Sequence, residues 1–194
     1  MVKKTARWKW YCLLILVGLA ATTLDGSSPA WATNRGMREY TVYGQGHLRL
    51  MVPEGWKAEF QRPITEQFPT IIFRATEGQE FKLLLTVQWE AKAGADFNSS
   101  ARISTLLEKE WQEMAPSLME TRFEPNTIQG PVARGLYFLV TDKEPKPGDF
   151  KYLLRAGVGF GKLLLSATLV FQEKDSPVVS DTLHLLRSAT LVAN

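Results

Sequence analysis

The chain from residue 39 onward alternates apolar and polar residues in short runs, which is the pattern of strands with one buried face. In the run 47–52, Leu48, Leu50 and Val52 fall on the same side. Pro53 follows, and this run ends there because proline has no amide hydrogen to donate to a sheet. The predicted strands are residues 40–43, 47–52, 56–60, 70–74, 81–90, 121–123, 126–129, 135–143, 150–158 and 162–173.

Two segments change to three- and four-residue spacing, which is typical of amphipathic helices. The candidate caps of the first helix are Asn98, Ser99 and Ser100. The second helix is predicted to start with Ser176 as cap and Pro177 at the first helical position. The recurring positions are Ile103, Leu106, Leu107, Trp111 and Met114 in the first helix, and Val179, Leu183, Leu186 and Thr190 line one side of the second.

The order of these elements predicts one α+β domain over residues 39–194, with a mostly antiparallel sheet and helices packed on it. No internal repeat and no linker rich in glycine or serine divides this segment. Residues 33–38 are interpreted as a loose tail. Trp56, Trp89 and Trp111 stand at apolar positions of the pattern, and we predict that they are packing anchors, since large aromatic side chains dominate protein cores.

The first 32 residues have the order of a secretory signal peptide. Four basic residues precede an apolar run over residues 11–24, and an Ala-Trp-Ala triplet ends at Ala32. The run is shorter than the roughly 20 residues of a membrane-spanning helix. We therefore expect cleavage near Ala32 and export to the periplasm or the cell exterior, with an uncleaved anchor as the alternative. Cys12 stands at the front of the run, whereas a lipidated cysteine would follow it.

Removal of this segment changes the charge of the protein. The whole chain has a formal net charge of +3, but residues 1–32 hold four of its 23 Lys and Arg and one of its 20 Asp and Glu, which leaves 19 of each. A near-neutral domain gives no electrostatic case for binding nucleic acid or anionic lipid. Residues 33–194 also lack cysteine, which excludes disulfides, thiol nucleophiles and cysteine metal sites.

Several segments together resemble the PsbP-like domains, the family of the extrinsic photosystem II subunit and of many exported bacterial relatives. They are the turn VPEGW at residues 52–56, the strand YFLVTDK at 137–143, and the strand KLLLSATLVF at 162–171 with the Ser-Pro helix start after it. The resemblance spans most of residues 39–192. It implies an α/β/α sandwich and a tendency towards binding or accessory roles. No catalytic residue belongs to these motifs, so none is carried over.

One loop collects three carboxylates. Asp142, Glu144 and Asp149 lie within TDKEPKPGD, residues 141–149, and oxygen ligands of this kind hold hard cations such as calcium. Two lysines are interleaved with them, however, and the glycine spacing matches no calcium loop. The preferred interpretation is a solvated hairpin tip, and no metal site or cofactor is predicted.

Other residues that could carry chemistry are interpreted as structural. His47 and His184 have no partner at metal-ligand spacing. The glycines of AGVGFGK, residues 156–162, match neither nucleotide-binding fingerprint and are interpreted as a hairpin connection. The carboxylates expected on the wet side of the first helix are Glu108, Glu110 and Glu113.

These patterns predict an exported, non-enzymatic protein of the cell envelope that binds a protein partner or acts as an accessory factor. Two alternatives stay open. The first is a small-ligand or divalent-cation binding domain, with a pocket between sheet and helix near the loop at residues 141–149. The second is a hydrolase whose site is assembled from scattered carboxylates.

Overall fold

In a computed structural model, the chain is described over residues 36–61, 68–78, 80–90 and 96–193, and the predicted signal peptide, residues 1–32, lies outside these ranges. The described part contains two antiparallel sheets and two α-helices. The strands are β1 (Met37–Val42), β2 (Gly46–Met51), β3 (Trp56–Gln61), β4 (Thr70–Ala75), β5 (Phe81–Gln88), β6 (Asn126–Gln129), β7 (Arg134–Thr141), β8 (Tyr152–Phe160), β9 (Leu163–Phe171) and β10 (Thr190–Val192), and the helices are α1 (Ser100–Met114) and α2 (Val178–Arg187).

Seven strands form the larger sheet, in the order β3-β4-β5-β9-β8-β7-β6. Its centre shows the predicted alternation, because Phe81, Leu83, Leu85 and Val87 of β5 are buried while the side chains between them are half-exposed. Helix α1 lies against β7 and β8, on the face of the sheet opposite to these buried side chains of β5. The predicted fold class, an α+β sandwich with antiparallel strands and helices packed on them, is confirmed. Within the described ranges, no helix is long and apolar enough to cross a membrane.

The main core lies on the other face of the larger sheet, under α2 and the smaller sheet β1-β2-β10. Strand β10 was not predicted. Thr190, which the periodicity assigned to the second helix, is the first residue of this strand and pairs with Arg49 of β2. The helix ends before it at Ser188, whose hydroxyl donates to the Leu185 carbonyl and accepts a hydrogen bond from the Met51 N–H at 2.8 Å. This contact joins the end of α2 to β2.

Most predicted strand boundaries differ from the observed ones by one to three residues, and the boundaries of the tail and of the second helix differ as well. The tail was expected over residues 33–38, but the last two of these are the first two of β1 and pair with β2. In the second helix, Pro177 is the N-cap and Val178 is the first helical residue. Ser176 therefore lies one residue before the N-cap. Its hydroxyl accepts a hydrogen bond from the Val178 N–H at 3.3 Å.

Helix α1 begins at the predicted place, with Ser99 as the N-cap, and it approaches the sheet closely because β8 carries glycine there. A β carbon on Gly157 would lie 2.8 Å from the Ile103 Cγ2 of α1, and one on Gly159 would collide with the main chain just before the helix. The hairpin connection predicted within residues 156–162 is present between β8 and β9, but it is shorter than predicted. Most of this stretch lies inside β8, and only the last of its glycines lies in the turn, with a φ of 52°.

Aromatic side chains join the two sheets. The ring of Tyr40 in β1 lies 5.9 Å from that of Phe60 and 6.3 Å from that of Phe73, between ring centroids. Trp56 packs beside them, with its centroid 4.5 Å from that of Phe81. Burial raises the pKa of Tyr40 to about 12, against a smaller opposing effect of the Arg38 charge.

We expect a Tyr40→Phe variant to resist alkaline pH better than the natural protein. Tyrosine ordinarily titrates near pH 10, so between pH 10 and about 12 the unfolded chain releases this proton while the folded chain keeps it. The free energy of unfolding therefore falls as pH rises through this window. Urea unfolding at about pH 8 and about pH 11.5 measures the fall. Tyr43→Phe is the control, because that ring is 92% exposed, and an undiminished fall in Tyr40→Phe would contradict the expectation.

Candidate functional site

A cleft opens at the outer edge of β7, where the chain that precedes β6 leaves the sheet. Leu118 forms an isolated bridge with Asp142, and regular pairing starts again between Asn126 and Tyr137. The outer chain covers eight residues from Leu118 to Asn126. The chain that faces it covers only five, from Tyr137 to Asp142. The surplus residues bulge outward, and Pro125, directly before β6, has no N–H with which to extend the ladder.

This bulge, the second half of α1 and the end of β7 enclose a cavity of about 440 Å³, which we call the Trp111 cleft. Pockets for ligands in proteins commonly have volumes in the range of about 300–1,000 Å³. The strand predicted over residues 121–123 is wrong, since these residues belong to the bulge. The walls of the cleft include Trp111, Arg122, Glu124, Asn126, Phe138 and Leu139.

Two aromatic side chains, Trp111 and Phe138, line the cleft, and Phe123 packs against both of them. The ring of Phe123 lies 6.3 Å from that of Trp111 and packs edge-on against Phe138 at 5.7 Å, between centroids. The indole Nε1 of Trp111 is buried without a hydrogen-bond partner among the described residues. A buried donor left in this way costs about 1–3 kcal/mol, and because it has almost no accessible surface, it offers no donor to a ligand in the cleft.

The start of the bulge is fastened to β7 by Glu120. One carboxylate oxygen accepts the main-chain N–H of Thr141 and the other accepts the Thr141 hydroxyl, both at 2.8 Å. The N–H of Met119 donates to the Thr141 carbonyl at 2.9 Å. Both oxygens of this carboxylate therefore serve to hold the bulge in place, and the cleft is preformed.

The carboxylates of the loop at residues 141–149 are not brought together. Asp142 accepts the main-chain N–H of Glu144 at 2.9 Å, which closes a local turn. Asp149 lies beside β9, where its carbonyl accepts a hydrogen bond from the Gln172 amide at 2.9 Å. In the part of the chain that the structure describes, no group of three or more His, Cys, Asp or Glu side chains could hold a metal ion.

The two histidines lie on separate surfaces. The Nδ1 of His47 is 3.4 Å from a carboxylate oxygen of Glu39 on the smaller sheet. Arg49 donates to the same carboxylate at 2.7 Å, and this hydrogen bond lowers the pKa of Glu39. His184 is exposed in the last turn of α2.

Glu110 does not lie on the wet side of α1, and that prediction is wrong. Arg155 of β8 donates to its two carboxylate oxygens at 2.8 and 2.6 Å and also reaches the Thr168 hydroxyl. The arginine side chain is only 16% exposed, and a charge in so dry an interface requires a partner. Glu108 and Glu113 are exposed, as predicted.

The three predicted packing anchors are half-buried and differ in their surroundings. Trp56 lies between the sheets, and Trp89 packs edge-on against Phe68 at 5.2 Å between centroids. Trp111 lines the cleft, a position that its helical spacing did not indicate. The signal that could have located the cleft is Pro125, which interrupts a run of strand-forming residues just before β6.

The architecture defines the class of fold as an α+β sandwich of the PsbP-like type. The solution structure of cyanobacterial PsbP (CyanoP) from Synechocystis sp. PCC 6803 is similar to this chain, with a TM-score of 0.53 and 12% sequence identity over 86% of this chain and 98% of that one. The fold that the resemblance implied is therefore confirmed. No protein-family model and no curated protein matches the sequence.

Proposed function

We propose that this chain is an exported, non-enzymatic binding or accessory protein of the cell envelope, and that it engages a protein partner at the Trp111 cleft. The observation that supports this proposal is a preformed cleft of about 440 Å³ that is lined by Trp111 and Phe138. Recognition sites commonly combine apolar walls with a few polar groups. Tryptophan and arginine are also enriched among the residues that contribute most to protein interfaces.

The cleft has an apolar floor and a charged rim, and the two contribute differently to recognition. Trp111 and Phe138 offer an apolar surface for a side chain of the partner. Arg122 and Glu124 are exposed at the rim, and rim charges influence orientation and association rate more than affinity. Because Glu120 already holds the bulge, binding does not have to order it, and this lowers the entropic cost of association.

Export is supported by the basic, apolar and small-residue order of residues 1–32. An accessory role agrees with the resemblance to PsbP-like domains, which is an analogy at the level of fold. The cleft supports a binding function independently of that analogy.

A photo-crosslinking amino acid in place of Glu124 tests this proposal in the cells that produce the protein. We expect one adduct of discrete mass from position 124, because this residue stands at the rim of the cleft. The matched control is the same substitution at Lys57, an exposed residue of β3 at the opposite edge of the larger sheet.

A Trp111→Phe change in the position-124 variant should reduce the yield of this adduct several-fold. It shortens the aromatic wall of the cleft while it retains a ring at this position. Equal adducts from positions 124 and 57, or no adduct from position 124, would show that the cleft is not the site of a protein partner.

A further inference from the structure

The outer edge of β7 has one residue whose main chain faces the Trp111 cleft. Successive residues of an antiparallel strand direct their N–H and C=O groups alternately to the two sides. Thr141 points outward, because both of its main-chain groups bond to the bulge. Tyr137 also points outward, where it pairs with Asn126 of β6. Leu139 lies two residues from each of them, so its N–H and C=O also point outward.

Every other outward position of this edge has at least one main-chain hydrogen bond. Each bonds to β6, to the turn that follows β6, or to the chain around the bulge. These positions are Ala133, Gly135, Tyr137, Thr141 and Lys143. Among the described residues, the N–H and C=O of Leu139 have no such partner. Its neighbour on β8 is Leu154, but outward-pointing groups do not bond across that pair.

We propose that the Trp111 cleft binds its partner as an extended polypeptide segment, one residue of which forms a β-bridge with Leu139. The inference rests on the proposed function and specifies the chemistry of the partner. Leu139 presents one donor and one acceptor side by side at the wall of the cleft. A residue of a peptide main chain carries the complementary acceptor and donor, and strand addition at a sheet edge is a common mode of peptide recognition.

The edge of β7 is unpaired only between Tyr137 and Thr141, and this gap limits the contact to a single residue. Pairing of β6 stops at Pro125, and the bulge occupies Thr141. An added segment therefore runs beside β7 over one residue only and leaves the edge on either side of it. A gap this short also protects the edge from pairing with whole strands of other chains, which long open edges invite.

The same geometry predicts the side chains of the segment. Side chains alternate between the two faces of a sheet, so the residue opposite Leu139 points to the face that carries the Leu139 side chain. Its two neighbours point to the face of Phe138, where Trp111 also lies. We therefore expect an apolar or aromatic residue next to the bridging residue.

Amide hydrogen exchange in the free protein tests the gap directly. We expect the Leu139 amide to exchange at least about tenfold faster than the amides of Tyr137 and Thr141, because only the latter two have hydrogen-bond partners. Equal protection of all three amides would overturn the inference. These three residues lie on one strand within five positions, so each serves as a control for the others.

A display library of random twelve-residue peptides, selected on the purified protein, tests the bridge. We expect the selected peptides to compete with crosslinking at position 124 and to protect the Leu139 amide. N-methylation of one peptide residue should weaken binding about 5- to 10-fold, the loss expected for one main-chain hydrogen bond. N-methylation of the residues on either side should have a smaller effect, since their N–H groups point away.

Two changes in the protein remove the same donor. Leu139→Pro deletes the outward N–H, and proline is tolerated where a strand N–H is unpaired. Replacement of Leu139 by its α-hydroxy acid deletes the N–H and retains the side chain, which serves if proline distorts β7. Each should weaken the selected peptides about 5- to 10-fold, whereas a Tyr137→Pro change should destabilise the fold by breaking the pairing with β6.

Peptides that bind in the cleft but are insensitive to N-methylation and to both Leu139 changes would overturn the bridge and leave the proposed function intact. Recovery of no cleft-directed peptide would also overturn the bridge. Crosslinking at position 124 in cells decides separately whether the cleft has a protein partner.

Discussion

A Gly135→Ala variant is expected to lose about 3 kcal/mol or more of unfolding free energy, which is at the upper end for a single methyl group. An added β carbon would lie 2.8 Å from the Val158 Cα and closer still to the Gly157 carbonyl oxygen. Both are main-chain atoms of β8, so neither can rotate away as a side chain would. The pairing of β7 with β8 must separate to admit the methyl group.

Urea unfolding monitored by tryptophan fluorescence measures this loss, with Gly44→Ala as the control. A β carbon at Gly44 has no atom within 4 Å. Its φ of 70° still costs an alanine roughly 1–2 kcal/mol. A Gly135→Ala variant no less stable than Gly44→Ala would show that the two strands can move apart without cost.

Replacement of Glu110 with alanine is expected to lower the unfolding free energy by about 2–3 kcal/mol. The change leaves the guanidinium of Arg155, 16% exposed, without its carboxylate partner between α1 and the sheet. Removal of one member of a buried pair costs about 3–5 kcal/mol, and the partial exposure of Glu110 reduces that figure. Helix α1 is also expected to loosen, and with it the wall that Trp111 contributes to the cleft.

Two further variants make this expectation specific. Glu113→Ala changes the same residue type at an exposed position of α1 and should stay within about 0.5 kcal/mol of the natural protein. The double change Glu110→Leu with Arg155→Met removes both charges and should recover much of the loss, because an apolar pair needs no partner. A double variant as unstable as Glu110→Ala would mean that the charges are not the cause.

The features that the sequence predicted well are those that arise within a few residues. The alternation of β5 follows from the side-chain period of a strand, and β6 was placed correctly at residues 126–129. Ser99 was among the predicted caps of α1 because capping depends on the first turn alone. Each of these signals can be read in a short window of sequence.

The errors concern residues whose roles depend on distant partners. The glycines at 157 and 159 were assigned to a turn, although they lie in β8 and make room for α1. Glu110 was assigned to the solvent because its helical position gave no sign of Arg155 on the sheet. Thr190 continued the period of α2 but pairs with β2. In each case the deciding partner lies in another element.

The sequence by itself determined the class of fold, the positions of most strands along the chain and the two helices. It could do so because period, capping and proline act locally along the chain. The tertiary structure alone decided the site. The loop carboxylates at 142, 144 and 149 share a short segment but not a cluster. The Trp111 cleft exists because the outer chain has three more residues between Leu118 and Asn126 than the facing chain has between Tyr137 and Asp142. Register is a relation between segments, and it is settled only when the whole core packs.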